Sequence, residues 1–352
     1  MSLVSGKQYS TEITSRKNMI INGAMDIWQR GTSLAMDNQV SAYLLDRFIC
    51  YNDRSTGAAT QLQSTDVPTV ANCGIKLNYS WEFDITTALA TPSGSNEATL
   101  RYTVEGYDYA KISGKNITIS FWVKSNKTGT YALAFRNFAA GQTQRRTYTI
   151  EYTIDIADTW EKKTFVVPMT GADDGVSDWD YTNGQGLNID WCFMSASGYA
   201  STSTFNEWQD GNTPYTNNQT NLFDNTANYF RLAAVQFEAG IEATDFEKRH
   251  IADELQMCQR YYCKTGEINN WPLCRYSLSS GVGYNQWQFP VEMRDAPAFT
   301  ASGTWTATSG FAGTPILQSA RTSEVTIRST TSPAANAIVY ADGGQFIFDA
   351  EL

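Results

Sequence analysis

The eight residues Ile117-Thr118-Ile119-Ser120-Phe121-Trp122-Val123-Lys124 alternate between two faces, and this period of two constrains the fold more than any other stretch of the chain. Ile117, Ile119, Phe121 and Val123 share one side, while Thr118, Ser120, Trp122 and Lys124 share the other. A helix would scatter both sets around its axis. The stretch therefore reads as a strand with one face in a core. Asn126-Lys127-Thr128-Gly129-Thr130 then turns the chain, and Tyr131, Leu133 and Phe135 alternate with Ala132, Ala134 and Arg136. Further strand-like runs at 148–156, 159–167, 188–194 and 229–237 are spaced as the strands of a sandwich are.

The period changes once. From Ile251, the apolar residues Ile251, Leu255, Cys258 and Tyr262 recur at steps of four, three and four, which predicts a helix of roughly three turns. Asp253 and Glu254 near its start and Arg260 and Lys264 near its end suit the helix dipole. Its apolar stripe needs cover, from the neighbouring domain or from the same helix of a symmetry mate. Beyond it, runs at 287–289, 323–327, 337–340 and 345–348 predict a second set of strands. The fold class is all-β: an N-terminal β-sandwich over 18–249, for which a resemblance given below implies a jelly roll, a short connecting α-helix over 250–264, and a smaller C-terminal β-sandwich over 265–352. Residues 1–17 are polar and without period, and read either as an arm that orders on a partner or as a frayed terminus.

At 352 residues the chain has room for about two domains. Its formal net charge of −10 argues against nucleic acid, whose phosphates select a basic surface, and against general attraction to anionic membranes. No run approaches the ~20 apolar residues that span a bilayer, and no signal core opens the chain, so membrane insertion is not expected. Cys50, Cys73, Cys192, Cys258, Cys263 and Cys274 are scattered without a Cys-x-x-Cys pair, and His250 is the single histidine. Free, mostly buried thiols are expected in place of a zinc site.

Several patches together resemble a known family. They are Asn18-Met19-Ile20-Ile21-Asn22-Gly23-Ala24-Met25-Asp26-Ile27-Trp28-Gln29-Arg30-Gly31-Thr32-Ser33, Tyr43 with Asp46-Arg47-Phe48, and Gln236-Phe237-Glu238-Ala239-Gly240. They continue with Thr244-Asp245-Phe246-Glu247, Glu254-Leu255, Cys258-Gln259-Arg260-Tyr261-Tyr262, Phe289 to Pro297, and Asp349-Ala350-Glu351-Leu352. In this order they are similar to segments of tail-fibre and receptor-binding proteins of tailed bacteriophages. Phe48 and Phe237 stand where that family often has Trp and Leu. A second resemblance, carried by Trp160-Glu161-Lys162-Lys163-Thr164-Phe165 before the strand with Ala234-Val235-Gln236, is to the jelly-roll carbohydrate-binding modules of bacterial polysaccharidases. The first implies a homotrimer on the virion, assembled in the host cytoplasm, whose partners are other tail or capsid proteins and a host cell-surface polysaccharide.

Catalytic templates are absent. No Gly-x-Ser-x-Gly elbow occurs, and Gly281-x-Gly283 lacks the third glycine of a dinucleotide loop. Glu82 and Asp84 share a strand face, yet nothing around them supplies the raised pKa that a glycosidase acid needs. The expectation is a protein that is not an enzyme and has no certain cofactor. Asp173-Asp174-Gly175 with Asp178 and Asp180 offers oxygen ligands in one loop, so Asp174, Asp178 and Asp180 form a candidate calcium site without EF-hand spacing.

Sugar recognition combines an aromatic face with planar polar groups. Trp122 and Lys124 on the outward strand face, with Arg136 expected on the matching face of the next strand, meet that description. So do Trp179, Tyr181, Tyr199, Trp208 and Tyr215 in two long loops, 170–186 and 195–228, both rich in Gly, Asn, Asp, Ser and Thr. The candidate glycan residues are Trp122, Lys124, Arg136, Trp179, Tyr181 and Trp208. The sequence thus points to a tail fibre or receptor-binding protein that attaches to a glycan without catalysis. The alternative is a head fibre, capsid decoration or tail connector that binds other virion proteins.

Overall fold

A computed structural model describes residues 16–352 except 38–39, 54–55, 138–143, 176, 199, 267, 273–281, 308–313 and 331–338. Nearly all of the expected N-terminal arm, and Tyr199 and Cys274, lie outside the described residues. Two antiparallel sheets form the large domain. One carries six strands in the order Ser33–Met36, Ala58–Ser64, Ser80–Thr87, Tyr229–Ala239, Asn116–Ser125 and Glu161–Pro168. The other carries seven: Trp208–Asp210, Arg146–Ile154, Gly129–Arg136, Gln185–Ser195, Glu97–Glu105, Phe48–Asp53 and Val40–Tyr43.

The predicted alternation holds in Asn116–Ser125. Ile117, Ile119, Phe121 and Val123 are fully buried between the sheets, where they meet Tyr131, Leu133, Phe135 and Trp191 from the opposite sheet. Trp191 meets the Phe121 ring edge-on, 5.8 Å between centroids. Each such side chain contributes about 1.5–3 kcal/mol by leaving water. The hairpin after Ser125 crosses between the sheets, so the strands 116–125 and 129–136 face each other without pairing.

The outer face of the seven-stranded sheet is roofed by the chain from 203 to 217. Thr147 Oγ1 donates to Gly211 O and Thr149 Oγ1 to Thr213 O, at 2.7 and 2.8 Å, while the Tyr215 hydroxyl bonds Thr99 Oγ1 and Glu97 at 2.6 and 2.7 Å. The segment expected to be an irregular surface loop therefore contains short strands at Ser201–Thr202, Trp208–Asp210 and Tyr215–Thr216. Thr, Asn and Asp residues on the outward face of that sheet select such a cover, because buried polar groups require partners.

The helix spans Ile251–Gln259, capped by His250 Nδ1, which accepts from the Ala252 amide at 3.3 Å. It is shorter than the spacing predicts. Tyr262 opens the strand Tyr262–Lys264, which pairs with 347–349, and Ile251 is 51% exposed. The buried face instead uses Glu254 and Cys258, and its cover is Ile21, Ile27 and Leu352 of the same chain. A buried glutamate beside the apolar positions escapes an apolar period. Here it accepts from the Asn22 amide and from Arg249.

The smaller domain is a second sandwich. The strand Val339–Asp349 pairs with Tyr262–Lys264 and Ile268–Pro272 on one side and Ala298–Ala307 on the other. A three-stranded sheet, Val282–Gln288, Glu324–Thr330 and Ile316–Ala320, closes over it. Residues 339–340 and the run 345–348, which sequence separates, belong to one strand.

Between the domains lies a buried ionic junction. Arg30 pairs with Asp46 at 3.1 Å and Glu351 at 3.3 Å, and Arg47 pairs with Glu351. Arg30 stacks on the Tyr262 ring and Arg47 on Tyr261, at 3.5 and 3.4 Å from the centroids. Arg260 binds Glu105 with both nitrogens of one edge, and Arg294 donates to Ala350 O at 2.8 Å. Arg30, Asp46, Arg47, Arg260, Arg294 and Glu351, from patches distant in sequence, meet at this joint. Gln236, Glu238 and Thr244 bond one another elsewhere, beside Lys17 and Asn18.

Candidate functional site

Trp122 stands where its strand parity predicts, on the outer face of the six-stranded sheet. Its cross-strand partners are Lys162 on one side and Ala233 on the other. The small Ala233 and Ala234 begin an irregularity before Gln236, with Ala234 at φ 47°, and they leave space beside the indole. A cavity of about 270 Å³ opens there. Its walls are Trp122 and Phe246, and its polar rim is Ser120, Lys162, Asn72 and Asp245. Among the described residues, the side chains of Asn72, Lys162 and Asp245 bond to no other side chain. The short helix Val70–Cys73 and the segment 244–246 form its edges.

Beside the cavity the face is charged and internally paired. Lys124 Nζ lies 2.7 Å from Asp66, Arg231 bridges Asp66 and Glu82 at 2.5 and 2.8 Å, and Trp160 Nε1 donates to Asp66 at 2.9 Å. Burial pushes the Asp66 carboxyl up, but the bonds from Lys124 and Trp160 outweigh it and hold the group below its ordinary value. Asp84 moves the other way, raised by burial and by the neighbouring Glu82 charge. Lys124 thus serves to order Asp66 and Trp160, and its ammonium is engaged.

The structure separates the other expected residues from Trp122. Arg136 lies in the seven-stranded sheet beneath the roof, only 5% exposed, and binds Asp190 Oδ2 at 2.5 Å while Arg101 binds Oδ1 at 2.7 Å. The expectation fails because the next strand in sequence belongs to the opposite sheet. Burial raises the Asp190 carboxyl, yet the two guanidiniums dominate and keep it below the usual carboxylate range.

Trp179, Tyr181 and Trp208 come together elsewhere. Trp179 stacks on Tyr109 at 4.6 Å and meets Trp208 edge-on at 5.8 Å, while Tyr181 stacks on Tyr109 at 5.5 Å. Trp208 Nε1 donates to Pro168 O at 2.7 Å. These rings anchor the long loops to the sheet and to one another. Tyr215, itself part of the roof, is buried with its hydroxyl bonded to Thr99 and Glu97.

The aspartates of the candidate calcium loop do not converge. Asp174 accepts from the Ser177 amide and lies 3.8 Å from Arg146, Asp178 accepts from the Gln144 amide, and Asp180 accepts from Thr182. Among the described residues, no group of three His, Cys, Asp or Glu side chains is placed to hold a metal ion.

Sequence reasoning missed Lys162, Asn72, Asp245 and Phe246. Lys162 was within reach, since Lys162, Thr164 and Val166 alternate in Glu161–Pro168 and pair in register with Trp122, Ser120 and Thr118. The other three come from connecting segments that carry no period.

No protein-family model and no curated protein matches this chain. Among solved structures it is similar to the enzymatically active domain of tailspike protein 4 of bacteriophage CBA120, at 12% identity and a TM-score of 0.35 over 64% of this chain and 22% of that one. It is also similar to the family 11 carbohydrate-binding module of Clostridium thermocellum, at 11% identity and a TM-score of 0.32 over 60% of this chain and 98% of that one. Both scores lie below 0.5, so these likenesses carry no argument about ligand or activity.

Proposed function

We propose that this protein binds a cell-surface glycan, without catalysis, through the cavity beside Trp122, and that it does so as a receptor-binding protein of a tailed-phage virion. The observation that carries the glycan reading is the combination at that cavity: an indole wall, a phenyl wall, and the amide, ammonium and carboxylate of Asn72, Lys162 and Asp245, which have no side-chain partners among the described residues. An aromatic plane receives the apolar side of a pyranose, and such polar groups bond its hydroxyls. The virion reading rests on the sequence patches that resemble tail-fibre proteins. A homotrimer, which that resemblance implies, would present three such sites and strengthen weak single contacts by multivalency.

The test is titration of the full chain with purified host surface polysaccharide, in parallel with its Trp122→Ala and Lys162→Ala variants. Saturable binding that both substitutions weaken, with no release of reducing ends, is expected. Binding unaffected by either would remove this cavity from the function, and reducing ends would make the protein an enzyme. Gold-labelled antibody on intact virions tests the location: label at the distal tail is expected, and label over the head would replace receptor binding with capsid decoration.

A further inference from the structure

Residues 16–18 are zipped to residues 244–249 in a ridge at the edge of the large sandwich. Lys17 Nζ donates to Thr244 Oγ1 and Asp245 O at 2.5 and 2.6 Å, the Arg16 and Asn18 amides donate to the Glu247 carboxylate at 3.2 and 2.8 Å, and Arg249 donates to Asn18 O. Thr244 and Asp245 line the cavity beside Trp122. Arg16, Asn18 and Arg249 line another, also of about 270 Å³, which shares no lining residue with the first. The two cavities thus flank one ridge.

The chain is acidic overall, yet this second cavity is lined by Arg16, Lys111, Arg249 and Arg260 against Glu105 and Asp108. Arg249 is spent within the fold, on Glu254 and on the Ile20 and Asn18 carbonyls. Arg260 is held by the buried Glu105 through Nε and Nη2, at 3.2 and 2.6 Å, and the Tyr261 hydroxyl fixes Glu105 in turn. That grip leaves Arg260 Nη1 without a bond among the described residues, on an atom that is not buried.

The other cations are open to solvent. The Arg16 side chain is exposed and makes no hydrogen bond or ion pair among the described residues. Lys111 is 67% exposed and holds only Asp108. Tyr107 lines the same cavity, 55% exposed, with no hydrogen bond or ring contact among the described residues. Accessible positive charge and an accessible ring therefore share one opening, and the Glu105 grip orients Arg260 before anything binds.

We infer that this cavity takes an acidic sugar residue, a pyranose bearing a carboxylate, from the same glycan that the cavity beside Trp122 receives. The Tyr107 ring covers the apolar side of the pyranose, and the Arg16 and Arg260 guanidiniums bind its carboxylate by charge-assisted hydrogen bonds. A neutral sugar leaves both cations unanswered. An acidic peptide matches the charges, but the accessible ring and the aromatic cavity across the ridge favour a glycan. The inference rests on the glycan reading for its ligand class and uses none of the residues around Trp122.

The experiment is saturation-transfer NMR at low salt with D-glucuronate, with D-glucose and tetraglutamate as comparisons, on the full chain and on its Trp122→Ala variant. Glucuronate is expected to bind both proteins, and to bind Trp122→Ala at least about tenfold more tightly than glucose does. Arg16→Gln and Tyr107→Ala are each expected to weaken glucuronate about tenfold, as the loss of a charge-assisted bond or an aromatic contact does. Both replace exposed side chains and are expected to leave Tm unchanged, so lost binding would not reflect unfolding. Added salt is expected to weaken glucuronate, since exposed charges are screened. The inference is overturned if glucuronate fails to bind, if Trp122→Ala alone abolishes its binding, or if glucose binds Trp122→Ala equally well. Binding that survives both substitutions would also overturn it, and tetraglutamate binding more tightly than glucuronate and lost with Arg16→Gln would assign the cavity to an acidic protein segment. Glucuronate binding to Trp122→Ala would stand even if the cavity beside Trp122 proved to bind no glycan, so the two readings fail separately.

Discussion

The Arg47 guanidinium is paired with the Glu351 carboxylate, across 304 positions of sequence, with both side chains almost entirely withdrawn from water. Arg47 also donates to Thr103 O at 2.8 Å and lies over the Tyr261 ring. A buried pair of this kind adds little net stability over a well-packed apolar pair, but removing one partner strands the other charge. Glu351→Ala is therefore expected to destabilise the protein by about 3–5 kcal/mol, read by chemical denaturation. The double variant Arg47→Met with Glu351→Leu should recover most of that loss. A cost below about 1 kcal/mol for the single change, the range of exposed pairs, would show that the junction is solvated.

The same junction makes stability depend on pH. Burial pushes the Asp46 carboxyl up from 3.8 to about 6, against the opposing effect of Arg30. The folded protein then holds this proton more tightly than the unfolded chain. The contribution of Asp46 is fully present below about 3.8 and is lost as pH rises through about 6. Asp190 acts with the opposite sign: its carboxyl is held low, so its contribution is present at neutral pH and is lost as pH falls through its depressed value. Urea denaturation of wild type and Asp46→Asn at pH 4.5 and 7 isolates the first effect. Relative to the variant, wild type should lose stability between these pH values, and parallel behaviour would show that Asp46 titrates as an ordinary carboxylate.

Cys73 offers a reporter for the cavity beside Trp122. Among the described cysteines, Cys50, Cys192, Cys258 and Cys263 are buried and Cys73 alone is partly exposed, on the cavity wall. Burial also pushes the Cys192 and Cys258 thiols up, which suppresses their thiolates. Iodoacetamide should alkylate Cys73 before these four, and a bound host glycan should slow it. Equal rates with and without saturating glycan would place the ligand elsewhere.

Trp122 and Arg136, alike as expectations from sequence, are expected to differ as variants. Trp122→Ala should weaken glycan binding by about tenfold or more while leaving the fold intact. Arg136→Ala should act through stability, because it leaves Asp190 with one of its two guanidiniums. Thermal melts alongside the binding measurements separate the two effects.

The contrast between these residues also shows what the sequence conveys. Parity along one strand is local, so Ile117 to Lys124 disclosed their own two faces. Which strand lies beside which is a property of the whole sandwich, and the hairpin after Ser125 crosses from sheet to sheet. Arg136 was misplaced for that reason alone. The helix was legible from its period, but Glu254, buried by its bonds to Asn22 and Arg249, does not register in an apolar pattern. At the cavity, Trp122 could be found from its strand and Lys162 from the facing one. Asn72, Asp245 and Phe246 arrive from connections whose paths only the tertiary fold determines.

The roof over the seven-stranded sheet gives the large sandwich a back and a front. The cavity beside Trp122 opens on the six-stranded side, whereas Thr147, Thr149 and Thr99 of the opposite sheet are already bonded by residues 203–217. Orientation therefore matters as much as affinity: copies arranged on a common support engage an extended surface together only if their six-stranded faces point the same way.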